Sequence, residues 1–188
     1  MKTKIYFLLS PTKTKLQGVR MSNVLELVEK ISGAVPGFTG YKANTFFQDD
    51  KLVRKRLLSL VDEARIRVER ISASVKQKNV SVGLRLDDLR IELLKVAQLL
   101  KRYSYTSNTN KLPNVNEELV PKILEEDAQL LTYTSRMFEK VIILSPTLEP
   151  KELLEKVNEA ITLVNDIESL LRERENLILK ALTAAPKQ

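Results

Sequence analysis

Cysteine and histidine are both absent from this chain of 188 residues. Without them there is no disulfide, no thiolate nucleophile, no imidazole acid or base and none of the usual zinc ligand sets, which removes most enzyme mechanisms at once. Glycine is scarce, five in all, and no glycine-rich phosphate loop, serine-centred elbow or dinucleotide fingerprint can be assembled from so few. Long apolar runs are missing as well. Residues 5–9 fall short of the roughly 7–15 of a secretory signal core and meet Ser10 and Pro11. The longest later run, residues 141–144, is far below the ~18–20 that a membrane span requires. The expectation is a cytoplasmic chain that is not an enzyme, with no cofactor, no metal and no membrane span.

What the chain has in quantity is charge: 29% of its residues are charged and the net charge is +7. Residues 1–20 carry Lys2, Lys4, Lys13, Lys15 and Arg20 and no acid, whereas the rest of the chain holds 26 basic and 24 acidic side chains. Met21, Ser22 and Asn23 precede an amphipathic stretch like a natural start followed by a helix cap. A basic, flexible leader over residues 1–20 and one helical domain over residues 21–188 are therefore expected. Inside that domain the charge is polarised. Residues 51–105 hold 14 Lys/Arg against 6 Asp/Glu, and residues 117–168 hold 5 against 12. Either the two halves pack as neighbours with complementary flanks, or the basic half stays open to phosphates.

Helical spacing dominates the pattern, and no segment alternates like a strand. Val24, Leu27, Val28 and Ile31 predict a short helix over residues 22–32. A rigid corner follows, in which Pro36 presets φ and Gly37 supplies the positive φ of a type II turn, with Gly40 permitting a second bend. Leu57, Val61, Ala64, Val68, Ile71 and Val75 repeat at four-three spacing and predict a long helix ending near residue 77. A short turn with Asn79, Ser81 and Gly83 leads into a helix over about residues 82–103, and so short a connection makes the two antiparallel. Residues 103–114 read as a polar loop. Asn114 with Glu117 fits a capping box for the next helix, which Pro121 enters in its first turn and which ends near Leu144. Pro150 opens the last, whose apolar positions from Leu153 to Ala181 repeat at three-four spacing with Arg174 interrupting the seam. The fold class is all-α: an up-down bundle of about five helices, two of them long and coiled-coil-like.

Candidate functional residues are few. Phe38, Tyr41, Phe46 and Phe47 are expected to plug the end of the bundle. Lys51, Arg54, Lys55 and Arg56, with Arg65 a few turns on, form the densest basic feature, and Arg102 with Tyr105 at the polar loop offers a cation beside a stacking ring. Asp127 lies on an apolar stripe and needs a mate, which Arg85, Arg90, Lys95 or a tyrosine hydroxyl can supply. Asp49 and Asp50 are read as helix-start charge with an i,i+4 pair to Arg54.

The corner Val35-Pro36-Gly37-Phe38-Thr39-Gly40-Tyr41-Lys42, followed by Asp50-Lys51-Leu52-Val53-Arg54 and a leucine-rich helix, resembles a group of uncharacterised bacterial and archaeal small helical proteins with a "PG..GY" corner. The similarity extends over residues 24 to about 140, its first 30 residues being the specific part, and this chain departs from it at Phe46-Phe47-Gln48. The resemblance implies a helical intracellular protein and no chemistry. The leading function is a non-catalytic interaction or scaffold protein, engaging a protein partner or a second copy through helical faces, the long final helix among them. The alternative is RNA or DNA binding by the hairpin over residues 51–105, through Lys51, Arg54, Lys55, Arg56, Arg65, Arg102 and Tyr105.

Overall fold

The computed structural model describes residues 11–102 and 114–183, with side chains from Asn23 onward. Among the described residues the regular structure is entirely helical: α1 (Pro11–Ala34), α2 (Phe46–Lys78), α3 (Val80–Lys101), α4 (Val120–Ile142) and α5 (Pro150–Thr183), with a 3-10 turn at Glu117–Leu119. The all-α bundle is the fold that the spacing predicts. Of the leader expected over residues 1–20, the first ten residues lie outside the described residues and the remainder belongs to α1, which starts earlier than the residue 22 expected.

Helices α2 and α3 pack against each other, as do α4 and α5; α3 also lies along α5, and α2 along α4. The four close a ring in which α3 and α4 stand at opposite corners. α1 is added from outside, against α4. The leucines, valines and isoleucines at three-four spacing fill one continuous core, because that period keeps one stripe of each helix turned toward the bundle axis.

The tightest connection is a single residue. The Asn79 backbone N–H closes α2 by donating to Val75 O at 2.7 Å, and its side chain starts α3 by accepting from Val82 N at 3.1 Å. Gly83 is therefore part of α3 and not of the turn in which the sequence places it. Its role is close approach: a Cβ there would lie 2.7 Å from the Lys76 Cα on α2. The cap ahead of α4 also differs from the expected Asn114–Glu117 box. Asn116 is the capping residue, accepting from Glu118 N at 3.0 Å, while Asn114 is exposed. The same Asn116 donates its backbone N–H to Ala181 O at 2.9 Å. With Val115 and Leu119 packed on the core, this segment meets the last turns of α5, where Ile178 and Ala181 are fully buried. α5 has 34 residues, about 50 Å at 1.5 Å per residue.

Between α1 and α2 the chain turns sharply. Phe38 N donates to Val35 O at 3.2 Å across Pro36 and Gly37, and Gly37 has φ +86°, the type II arrangement that Pro-Gly favours. Gly40 follows with φ +96°, and Tyr41 adopts φ +60°, a left-handed conformation that costs a non-glycine residue about 1 kcal/mol or more. Asp49 holds it there. Its carboxylate accepts from Thr39 N at 2.9 Å and from Tyr41 N at 2.8 Å, so the first turn of α2 fastens the corner that precedes it.

Candidate functional site

The fastened corner aims the Tyr41 ring into the end of the bundle, between Phe38 at 5.2 Å and Phe46 at 5.1 Å, with Phe47 6.0 Å beyond Phe46. Its hydroxyl meets a cluster of charged side chains drawn from three helices. Asp127 of α4, Arg174 of α5 and Asp50 of α2 are fully buried, and Arg54 of α2 nearly so. The Tyr41 hydroxyl donates to Asp127 and accepts from Arg174 Nη2 at 2.7 Å. Arg174 donates through Nε to Asp127, and its Nη1 stands 2.6 Å from Asp50 Oδ1, an ion pair out of line for a hydrogen bond. Arg54 continues the chain outward: Nε donates to Asp50 at 2.9 Å, Nη1 to the Arg102 carbonyl at 3.0 Å, and Nη2 to Glu175.

Burial raises the Asp127 carboxyl above the usual carboxylate range, while the charge of Arg174 and the hydrogen bonds from Arg174 and Tyr41 pull the other way. Burial lifts the Tyr41 phenol well above its ordinary value. For Arg174 burial works against the charge, yet Asp127, Tyr41 and Asp50 outweigh it and keep the guanidinium protonated. Tyr41, Asp50, Asp127 and Arg174 are buried together and compensate one another's charge, with Arg174 Nη1 facing Asp50 without a hydrogen bond. The cluster joins the corner, α2, α4 and α5 at one end of the bundle, an arrangement suited to fixing helix register.

This outcome corrects several sequence readings. Asp127 finds its mates in the Tyr41 hydroxyl, as the expectation of a tyrosine allowed, and in Arg174 in place of Arg85, Arg90 or Lys95, because α3 stands diagonally opposite α4. Arg85 instead pairs with Asp88 and Lys95 with Glu92. Asp49 and Asp50 are more than helix-start charge: one caps the corner and the other is a core ion. Arg54 is buried, so it is no part of an exposed basic patch. A signal for this existed in the sequence. Arg54 stands three residues before Leu57, in phase with the α2 seam, as Arg174 is in phase with α5 and Asp127 with α4.

The remaining candidates are scattered. Lys51, Lys55 and Arg56 are exposed on the first turns of α2 and have no ion-pair partner among the described residues. Arg65 is half-buried beside Asp62 and Glu69. Arg67 donates to the carbonyls of Val141 and Leu144, satisfying the end of α4. Arg102 is exposed at a cleft of about 380 Å³ that it lines with Arg54, Arg172, Glu175 and Asn176 over Leu99 and Leu171. Tyr105 and the loop over residues 103–113 lie outside the described residues. Pro36, Gly37, Phe38, Gly40 and Tyr41 form the corner already described.

Surface ion pairs bear on where the two charge-polarised halves stand. Arg65–Asp62, Lys76–Asp87, Arg85–Asp88, Lys95–Glu92 and Lys101–Asp62 lie within the α2–α3 hairpin; Lys140–Glu159 lies within the α4–α5 hairpin. The pairs Arg54–Glu175 and Arg174–Asp50, which join the halves, belong to the buried cluster. Of the other cations of the first hairpin, Arg67 is bound to the end of α4 and Arg85 also reaches Asn158 of α5, while Lys51, Lys55 and Arg56 are exposed.

The same hairpin also carries an apolar feature that the sequence reading missed. Val80, Leu84, Ile91 and Leu94 of α3 are 62%, 51%, 43% and 39% exposed. With Asp87 and Gln98 they continue a four-three-four-three spacing on the side opposite the buried Leu86, Leu89 and Leu93. α3 therefore has two seams, one in the core and one facing solvent. The signal was present as a second set of apolar residues in helical phase, but it merged with the first in a helix apolar on both sides. A further groove of about 700 Å³ runs between α2 and α4 beside Ile66, Phe138 and Ile142. Among the described residues no helix is long and apolar enough to cross a membrane, and no group of acidic side chains is placed to hold a metal ion. No protein-family model, curated protein or solved structure matches this chain.

Proposed function

We propose that this is a non-catalytic interaction protein of the cytoplasm, a helical scaffold that engages a protein partner through an outer helical face. The observation that carries the reading is the solvent-facing seam of α3, since exposed large aliphatics in coiled-coil phase, Val80 with Leu84 and Ile91 with Leu94 on either side of Asp87, form a surface to which another helix packs. The buried charged cluster supports it from the other side: the most perturbed groups are compensated inside the bundle end and serve its architecture. Hydroxyl-radical footprinting tests the proposal. Val80, Leu84, Ile91 and Leu94 should label strongly in the purified protein and be protected in an extract of its source cells. Equal labelling of all exposed aliphatics in both samples, Leu25, Ile66 and Ile142 included, refutes it.

Nucleic-acid binding by the α2–α3 hairpin is the second reading, favoured by the exposed Lys51, Lys55 and Arg56 at the start of α2. It requires retention on RNA or DNA that weakens steeply with salt and is lost in a Lys51→Glu/Lys55→Glu/Arg56→Glu variant. Absence of salt-sensitive binding eliminates it.

A further inference from the structure

We infer that residues 1–20 dock this protein on an anionic lipid surface, whether or not the α3 seam engages a partner. Charge is the first reason. Lys2, Lys4, Lys13, Lys15 and Arg20 stand in this stretch without one acid, while the rest of the chain is close to balance, with 26 basic and 24 acidic side chains. Five of the seven net positive charges thus fall on the first twenty residues. Beside an anionic bilayer each such cation strengthens binding about fivefold, within the reach of a Debye length.

The second reason is the apolar run Ile5-Tyr6-Phe7-Leu8-Leu9, which lies between the two pairs of lysines. It is far too short to cross a bilayer. With two aromatics it suits the interfacial layer, and attachment to a membrane surface becomes stable when an apolar signal joins a basic one. The run also decides between partners. Phosphates of RNA or DNA answer the lysines but leave the aliphatics in water, whereas a bilayer takes both.

Placement in the fold is the third. Residues 11–20 are the first turns of α1, about 15 Å of helix at 1.5 Å per residue. The α1 side chains described against the core come later, at Val24, Leu27, Val28 and Ile31, and α1 is added to the ring from outside, against α4. The ring of α2, α3, α4 and α5 is closed by its own contacts, so engaging residues 1–20 does not require opening it.

The test uses the full chain in vesicle co-sedimentation, with phosphatidylcholine vesicles, the same vesicles containing phosphatidylserine, and RNA and duplex DNA as competitors. The protein should pellet with the phosphatidylserine vesicles, less so as salt is raised, and hardly at all with phosphatidylcholine alone. Lys4→Glu/Lys13→Glu/Lys15→Glu should weaken binding about a hundredfold, three such factors, whereas Lys51→Glu/Lys55→Glu/Arg56→Glu should matter little. The chain has no tryptophan, so Phe7→Trp supplies a single fluorophore whose emission should shift to the blue on adding phosphatidylserine vesicles. Phe7→Ser/Leu8→Ser should weaken binding about tenfold or more with an unchanged circular-dichroism melt. The inference is overturned if phosphatidylserine vesicles do not bind, if both vesicles bind equally, or if charge reversal at residues 51, 55 and 56 costs as much as reversal at 4, 13 and 15. A lowered melt in Phe7→Ser/Leu8→Ser would put the run in the packing of the fold and overturn it too. So would RNA or DNA that strips the protein from the vesicles and binds Phe7→Ser/Leu8→Ser as tightly as wild type, since the stretch would then be a nucleic-acid contact.

Discussion

Arg174 is the residue whose loss should be felt most, and the structure gives the reason and the scale. Its guanidinium touches Asp127, Asp50 and the Tyr41 hydroxyl, all inside the core. Arg174→Met keeps much of the side-chain volume but leaves two buried carboxylates without that charge. Removing one partner of a buried pair typically costs about 3–5 kcal/mol, which for a chain of this size is a fall in thermal midpoint of roughly 6–20 °C. Arg65→Met is the control, since its partners are half in water and such pairs are worth less than about 1 kcal/mol. A pH series sharpens the test. In the variant the Asp127 carboxyl keeps only the Tyr41 hydroxyl, while Asp50 retains Arg54, so the folded-state pKa of Asp127, already raised by burial, should rise further above its unfolded value. A raised carboxyl favours the folded state below the unfolded value, and that advantage is lost as pH rises through the folded one. The deficit against wild type should therefore be smaller in mildly acidic buffer than in mildly alkaline buffer. Adding Asp127→Leu should recover part of the loss, with a coupling of about 1–3 kcal/mol in the double-mutant cycle. A loss below about 1 kcal/mol, or one of equal size across pH, would refute the reasoning.

Other consequences are simpler to measure. Gly83→Ala should destabilise by about 1–3 kcal/mol by chemical denaturation, because the new methyl meets the α2 backbone at Lys76 and overpacking exceeds the ~1 kcal/mol that alanine gains in helix propensity. Thr134→Val should raise the thermal midpoint by a few degrees, since the Thr134 hydroxyl is buried with no hydrogen-bond partner and removing it relieves about 1 kcal/mol of desolvation. Asp87, held below the usual carboxylate range by hydrogen bonds from Lys76 and Ser72, contributes stability that is present above its unfolded pKa of about 3.9 and is lost as pH falls through the lower folded value. Asp87→Asn should flatten the wild type's acid limb in that window, and an unaltered limb counts against the assignment.

The bundle was legible because three-four spacing is a local property, repeated over enough turns in α2 and α5 to fix which face is buried. Pro36-Gly37 and Pro150 were legible for the same reason, each constraining φ at its own position. The charged cluster was harder. Asp127 and Arg174 each stood out as an ion on an apolar stripe, but although the short connection over residues 143–149 places α4 beside α5, nothing local sets the register that brings the two side chains together or places α4 diagonal to α3. Arg54 was read as one of a run of cations, because its neighbours in sequence are basic while its neighbours in phase are apolar. Asn79, capping two helices at once, and Gly83, set by the approach of α2, depend likewise on the hairpin's closeness. The outer seam of α3 was lost in a helix whose two apolar faces obscure each other's periodicity.

The thermal midpoint of a Leu84→Glu/Ile91→Glu variant tests most directly whether the second seam of α3 is an outward surface kept for a partner. A midpoint within a degree or two of wild type, while Arg174→Met falls steeply, is the predicted result. A fall comparable to that of Arg174→Met would mean that the seam is part of the core, and would contradict the account.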